Sequence, residues 1–497
     1  MSHVTRRRFL HALGAGCAGA ALGGLAPAGR SAAASSSAGR AAGRPPNVVI
    51  IFTDDQGYED VGCFGSPLIR TPNLDRMAAE GMRFTDFYVA ASVCSPSRSA
   101  LMTGCYPQRI NMNVFDRLVK GRMRGGGVVL FPNSPTGLNP NEITLAEILK
   151  GRGYATACVG KWHLGHLPQF LPMRQGFDSY YGIPYSNDMR IAKDGKSGPP
   201  LMRNDQVIEH PANQDTLTRR YTEEAVRFIR EHKDGPFFLY LPHTMPHLPI
   251  HASDRFRGES RRGLYGDVIE EIDWSVGQIL ATLKACGVDR NTLVIFTSDN
   301  GPWLQFGDRG GSANPLRDGK GTIYEGGMRE PCIMRWPGTI PAGSVCREVA
   351  STIDLLPTIA RLAGAEPPAD RVVDGKDIRP LLLGQADARS PHEAFYFYPK
   401  QETEPMGIRC GRWKFYKAGQ RHRTWQENGK WIHRKVPCPA ELYDLQADIG
   451  ETKNLADSRP DLVAKLAKMM DDFDADLKAH SRPAGDPGDL ASSPASG

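Results

Sequence analysis

Four short apolar runs in this chain each stop on residues that could hold a metal ion or move a proton. Asn47–Thr53 (NVVIIFT) is followed by Asp54-Asp55, and Tyr154–Val159 by Gly160-Lys161-Trp162-His163. Phe237–Leu241 (FFLYL) leads into Pro242-His243-Thr244-Met245-Pro246-His247, and Leu293–Thr297 (LVIFT) into Ser298-Asp299-Asn300. Any one of these endings taken alone is more often a helix cap, a solvated turn or a structural histidine. Four together point to one shared site, because open α/β sheets bind ligands at the carboxyl ends of their strands. Asp54, Asp55, Asp299 and Asn300 offer only oxygen, which selects a hard cation, Ca2+ or Mg2+, over zinc. No CxxC or HExxH spacing competes. Lys161, Lys320 and Arg98 are cations that could neutralise a tetrahedral oxyanion, although Lys320 taken alone reads as a solvated loop lysine. A divalent metal, several cations and nearby histidines suit hydrolysis of a sulfate or phosphate ester.

A fifth stretch, Cys94 to Gly104 (CSPSRSALMTG), sets a thiol beside an arginine at an expected helix start. Arg98 and the helix start would activate a plain thiolate there.

These residues need a scaffold. The chain has 497 residues, 40% of them hydrophobic, enough for a large core and two domains. The charged fraction of 23%, without long charge runs, excludes bulk disorder. Residues 1–44 carry six arginines and no acid, which accounts for the whole net charge of +6. The remaining body is neutral, which argues against nucleic acid as a partner. The start, TRRRFLHALGAGCAGAALGGLAPAG, reads as a cleavable signal peptide rather than a membrane span. Thr5-Arg6-Arg7-Arg8-Phe9-Leu10 resembles a twin-arginine export signal, with an ordinary Sec signal as the alternative. The expected location is therefore periplasmic or secreted, with no other membrane association. Residues 35–46 form a Ser/Ala/Gly/Pro linker.

From residue 47 apolar runs alternate with amphipathic stretches, as in an α/β protein. Helices are expected over 142–150, 217–233 and 265–286, between the strands named above. Near Pro367-Pro368 the texture changes to short aromatic strands, at 394–398 and 413–416, and a late helix over 462–478. The expected organisation is a signal and linker at 1–44, a catalytic α/β domain at 45–366, a smaller α+β domain at 367–483 and a disordered tail at 484–497.

CSPSRSALMTG matches the sulfatase signature C-x-P-S-R-x-x-L-x-T-G at every fixed position. IIFTDDQGYEDVGCFG, GYATACVGKWHLG, QGFDSYYGIPYSND, LVIFTSDNGP, GKGTIYEGGMREP and ELYDLQADIGETKNLA agree with it. Over residues 45–460 the chain resembles the type I, formylglycine-dependent sulfatases, in particular the arylsulfatase A and N-acetylgalactosamine-6-sulfatase branch. The resemblance implies a large alkaline-phosphatase-like mixed sheet flanked by helices, plus a small C-terminal domain with an antiparallel sheet. It implies hydrolysis of aryl or carbohydrate sulfate monoesters through a covalent sulfo-enzyme intermediate. Cys94 would be oxidised to formylglycine (3-oxoalanine) by a formylglycine-generating enzyme acting on the nascent chain. Asp54, Asp55, Asp299, Asn300 and the modified Cys94 would bind Ca2+, with Mg2+ as the alternative. Arg98 would hold the formylglycine, and His163 would deprotonate its spare hydroxyl. Lys161, Lys320 and Ser186 would contact sulfate oxygens. His247, aligned by the Leu248-Pro249 after it, would be the general acid, with His243 as runner-up because Met245 interrupts the usual His-Thr-Pro-His.

Two other readings stand beside this one: a phosphodiester or phosphonate monoester hydrolase of the same superfamily, and a non-catalytic glycan-binding relative. Lys161 and Lys320 favour sulfate, and the complete polar set favours an enzyme. Pocket walls are expected in loops 111–140 and 302–316 and in the C-terminal domain, with Trp303, Arg317, Arg421 and Trp425 as candidate contacts. Among the cysteines, Cys332/Cys346 and Cys410/Cys438 are near enough in sequence for local bridges, with buried free thiols as the alternative.

Overall fold

The run NVVIIFT forms strand β1 (Asn47–Thr53), with all seven residues buried. Its pleat sends Val48, Ile50 and Phe52 into one core and Val49 and Ile51 into another, on opposite faces of a sheet. A strand covered on both faces reads as continuous apolar sequence, which is why these runs lack alternation. The computed structural model describes residues 44–119, 122–189 and 198–486. The export-signal segment and the end of the tail lie outside the described residues.

In chain order, β2 (Met82–Tyr88) and a hairpin, β3 (Phe115–Val119) and β4 (Arg122–Gly127), come next. After them come β5 (Ala155–Val159), β6 (Ser179–Gly182), β7 (Leu201–Arg203), β8 (Gln206–Glu209), β9 (Phe237–Pro242) and β10 (Thr292–Ser298). β11 (Arg329–Arg335), β12 (Ser344–Cys346) and β13 (Ala350–Ser351) complete the large sheet, whose order is β12-β2-β11-β10-β1-β9-β5-β6-β7-β8 with β13 on β2. The central strands β10, β1, β9, β5 and β6 are mutually parallel, whereas β11 runs antiparallel between β10 and β2. Helices Pro72–Ala79, Leu217–His232 and Leu264–Ala285 cover one face. Helices Cys94–Thr103, Leu145–Gly151 and Leu355–Leu362 cover the other. The helix expected from residue 142 starts later, because Thr144 caps it: its hydroxyl accepts from the Glu147 N–H at 3.1 Å and the Glu147 carboxylate accepts from the Thr144 N–H at 2.9 Å. Among the described residues no helix is long and apolar enough to cross a membrane.

The C-terminal strands β14 (Phe395–Phe397), β15 (Gly407–Cys410) and β16 (Trp413–Tyr416) build a four-stranded antiparallel sheet with β19 (Glu441–Asp444), in the order β14-β15-β16-β19. Between β16 and β19 the chain makes a separate hairpin, β17 (Gly419–Glu427) and β18 (Lys430–Cys438), which the sequence pattern did not announce. Helix Pro460–Ala479 packs Leu466 and Met470 on one face of the small sheet. Phe395, Phe397 and Tyr416 of its other side share a core with Tyr88, Tyr106 and Tyr324. Ile378, Leu381 and Leu382, beyond the expected boundary at 366, pack into the core of the large sheet.

No cysteine among the described residues is in a disulfide. Cys332 and Cys346 both pair with Phe84, from opposite sides of β2, so two strand spacings, about 9.6 Å, separate them. Cys410 and Cys438 belong to different sheets.

Candidate active site

Because β10, β1, β9 and β5 are parallel neighbours, their carboxyl ends meet at one edge. Backbone pairing continues past the strands and fixes the residues beyond them: Asp299 N donates to Thr53 O at 3.0 Å, Lys161 N to Pro242 O at 2.8 Å and Trp162 N to Ile183 O at 3.0 Å. The turns are tight. Asp55 and His163 sit at φ 65° and 60°, a region that non-glycine residues enter chiefly where surrounding structure compels them.

The structure brings every expected site residue into one buried cluster. Arg98 donates to Asp299 Oδ2 from Nε (3.0 Å) and Nη2 (2.8 Å), to Asp54 Oδ2 (3.2 Å) and to the Lys161 carbonyl (2.9 Å). Lys161 donates to Asp54 and, at 3.1 Å, to Ser186 Oγ. Lys320 Nζ lies 2.7 Å from Asp55 Oδ2 and 3.7 Å from Cys94 Sγ, so it is not a solvated loop lysine. Asn300 Nδ2 donates to Asp55 Oδ1 at 2.7 Å, which leaves its Oδ1 buried without a partner. Ligand atoms of Asp54, Asp55, Cys94 and His247 lie within 4.8 Å of one another and could hold a metal ion, with Asp299 and the orphaned Asn300 oxygen as further oxygen donors.

Cys94 is the first residue of its helix and fully enclosed; its thiol donates to Asp54 Oδ1 at 3.4 Å. Burial, reinforced by the Asp54 charge, pushes this thiol well above its ordinary pKa. Burial and the carboxylates outweigh the nearby cations at the sulfur, so this environment disfavours a thiolate and agrees with a Cys94 that is not used as a thiol. Burial opposes the charge on Asp54 too, but Lys161 and Arg98 hold it far below the usual carboxylate range. Burial, with Asp54 and Asp299 beside it, raises Asp55 to about 7 despite Lys320.

The histidines take distinct places. His163 Nε2 donates to the Leu130 carbonyl at 2.9 Å, so its buried Nδ1 keeps a free lone pair. Burial, Lys161 and Arg98 keep this ring neutral. His247 Nδ1 donates to Leu248 O (2.6 Å) and Asn187 Oδ1 (2.9 Å), which turns Nε2 toward Asp55 Oδ2, 3.7 Å away. His243 instead lies 3.4 Å from Ser275 Oγ under helix Leu264–Ala285 and beside Tyr221.

Above this cluster opens a cavity of about 210 Å³, lined by Cys94, His163, Ser186, His247 and Lys320 and walled by Val128, Val129, Phe131, Met189 and Trp303. The Trp303 ring lies 4.3 Å from Lys320 Nζ and 5.4 Å from the His247 ring. Three candidate contacts fall elsewhere. Arg421 is fully buried against Tyr324 and the Pro439 carbonyl, and Arg317 donates to Tyr443 and the Glu451 carbonyl. Trp425 pairs with Arg434 within the hairpin. Lys400 and His433 line the cavity without having been anticipated. They belong to no motif, and only the density of cations and aromatics in that region hinted at them.

Comparison with known proteins agrees with this architecture. The Sulfatase family model matches residues 46–365, and the model for the C-terminal region of N-sulphoglucosamine sulphohydrolase matches residues 318–476. Human arylsulfatase A is 41% identical over 464 residues, covering 87% of this chain and 88% of the human protein. Mouse N-acetylgalactosamine-6-sulfatase is 45% identical over 389 residues, covering 75% of this chain and 72% of its own. The crystal structure of Ps i-CgsB in complex with k-i-k-neocarrahexaose superposes with a TM-score of 0.73 at 28% identity, covering 91% of this chain and 98% of that one. These matches run through the large sheet, the residues at its carboxyl edge and the C-terminal layer, and the fold is the alkaline-phosphatase-like one of those enzymes. The chain belongs to the sulfatase family and is a hydrolase of sulfate esters.

Proposed function

We propose that the chain cleaves sulfate monoesters of aryl or carbohydrate alcohols at Cys94, after that residue has been oxidised to formylglycine. The observation that carries this reading is the meeting of Cys94 with three carboxylates, two lysines, Arg98 and two differently oriented histidines at the floor of one cavity. Formylglycine, once hydrated, supplies two geminal hydroxyls: one takes the sulfuryl group as the alcohol leaves, and ionisation of the other expels sulfate and restores the aldehyde. Asp54, Asp55, Asp299, Asn300 and the modified Cys94 would hold one divalent cation, Ca2+ or Mg2+, which would supply Lewis-acid polarisation of the ester.

The remaining roles rest on this chain's own side chains. Arg98, locked between Asp54 and Asp299, orders the carboxylates beside the modified residue. Lys161, Ser186 and Lys320 present donors to the sulfate oxygens. His163, neutral and with Nδ1 free, accepts the proton of the spare hydroxyl. His247 is the general acid. Burial and Lys320 keep its ring neutral in the free enzyme, and a bound sulfate ester offsets the lysine charge and draws a proton onto Nε2. Twin-arginine export of the folded enzyme to the periplasm accompanies this reading, since Arg6-Arg7-Arg8-Phe9-Leu10 suits that route.

Mass spectrometry of protein from the native host tests the modification, together with turnover of an aryl sulfate in the presence and absence of chelator. A Cys94 peptide lighter by the difference between thiol and aldehyde is expected, as is activity that is lost when chelator removes Ca2+ or Mg2+. Full activity with unmodified Cys94, or with stoichiometric zinc, would refute the reading, and a matched aryl phosphate turned over faster would favour the phosphoester alternative.

A further inference from the structure

Each buried cation on the cavity floor has a carboxylate: Lys161 has Asp54, Lys320 has Asp55 and Arg98 has Asp299. Lys400 does not. It comes after β14 in the small C-terminal sheet, and its largely buried ammonium reaches the same cavity beside Gly321, where an added Cβ would lie 3.0 Å from Nζ. Its partner is a neutral ring: Lys400 Nζ donates to His433 Nε2 at 2.8 Å. His433 is held in that tautomer from behind, because its Nδ1–H donates to Thr424 Oγ1 at 2.9 Å, across the β17–β18 pair. The His422 ring stacks on it at 5.1 Å. Among the described residues no carboxylate forms an ion pair with Lys400. Asp188, the one acid among the described residues that line the cavity, is exposed and pairs with neither Lys320 nor Lys400. Burial and the charge of Lys320 work against the Lys400 ammonium, and no acid among the described residues compensates.

A buried ammonium without a counter-charge is expensive. It is retained where something else supplies the charge, and here it faces the open space next to the sulfate-handling lysine. We propose that Lys400 binds a second anionic group, a carboxylate or a second sulfate, carried by the leaving group of the sulfate ester, and that His433 is the residue that positions its ammonium. This rests on the reading that the Cys94 end of the cavity takes the scissile sulfate. The natural substrate is then a sulfate monoester of an acidic alcohol: a sugar or aryl group bearing a second negative charge within reach of the first.

The test uses the full-length, modified enzyme and three matched series: phenyl sulfates carrying a ring carboxylate, their uncharged carboxamide counterparts, and phenyl sulfates carrying a ring sulfonate, each in ortho and meta forms. The readout is the ratio of kcat/KM for a charged substrate to that for its carboxamide. The wild type should favour at least one charged series, and the carboxylate and sulfonate arms distinguish the two sources of the anion. Lys400→Gln should lower that ratio by about tenfold or more, as expected for loss of a charge-assisted hydrogen bond. Lys400→Arg should keep most of it. His433→Ala should lower it less, through KM rather than kcat. A ratio taken on a single preparation is independent of how much of the variant folds. A wild-type ratio near one in both charged series, or a ratio that Lys400→Gln leaves unchanged, overturns the proposal. Failure of the wild type to turn over any of the sulfates would instead overturn the hydrolytic reading on which it rests.

Discussion

At the scale of single residues, the two histidines of the site differ in which nitrogen is free, and that difference predicts which half of the cycle each serves. His163 offers a bare Nδ1, whereas His247 has Nδ1 committed and Nε2 facing the cavity. Cys94→Ser should accept a sulfuryl group and fail to release it, because serine has no second hydroxyl through which to collapse. His247→Ala should slow the first step, with a loss of roughly a hundred- to ten-thousand-fold on sugar sulfates and much less on nitrophenyl sulfate, which departs without a proton. Single-turnover kinetics with mass detection of the sulfated enzyme reads both, and steady turnover by the serine variant would contradict the assignment. Lys400 predicts a pH effect. Burial and Lys320 lower its pKa to about 8, and the other groups facing it, His433 and His422 behind it, are themselves held neutral by burial. The ammonium is therefore charged below pH 8 and lost above it. The kcat/KM preference for substrates with a second anion should fade as pH rises through about 8, and the carboxamide series should show no such step.

At the scale of elements, the site depends on how closely the strand ends approach one another. Gly160 leaves β5 at φ 135°, and a Cβ there would fall 1.9 Å from the Pro242 carbonyl oxygen at the end of β9. That carbonyl accepts the Lys161 N–H, so the contact that excludes a side chain is the one that aims Lys161 at Asp54. Gly160→Ala should destabilise the protein by about 3 kcal/mol and depress kcat along with it. Thermal unfolding and aryl sulfatase assays on one preparation check this, and a variant with unchanged Tm and activity would show that the strand ends can part.

For the whole molecule, the small sheet is bound to the large one by charge as well as by aromatic packing. Lys414 of β16 and Glu325 are both fully buried and lie 2.6 Å apart; Arg329 and Arg409 add further charge to the cluster. Although burial raises the cost of its ionisation, Lys414 and then Arg329 hold Glu325 down to about 2. Lys414→Met keeps the volume and removes the charge, which strands part of a buried carboxylate. The expected loss is about 3 kcal/mol, seen as a fall in Tm. The double variant Lys414→Met with Glu325→Gln should recover part of that loss, and a Lys414→Met protein as stable as the wild type would mean that aromatic packing alone joins the layers. Because Lys400 and His433 also come from the C-terminal part, the same layer that closes the core supplies one wall of the cavity.

The local chemistry of the strands was legible in the residues themselves. NVVIIFT, FFLYL and LVIFT are apolar on both faces, so they had to be buried strands, and the polar residues that end them had to lie at one edge once the strands were parallel. The oxygen-only set of Asp54, Asp55, Asp299 and Asn300 likewise suggests a hard cation before any coordinate is known. Other features depend on distances between segments far apart in the chain. Lys320 taken alone reads as a loop lysine until Asp55, 265 residues away, is placed beside it, and a plain thiol at Cys94 would read as activated until burial and Asp54 outweigh Lys161 and Lys320. His243 and His247 are four residues apart and chemically identical; the path of the chain after β9 puts one under a helix and the other in the cavity. Cys332 and Cys346 are near in sequence, but an intervening strand keeps them apart. Residue type and periodicity report what a segment prefers. Electrostatic strength and reach depend on separation and burial, and those arise only when the sheets close on one another.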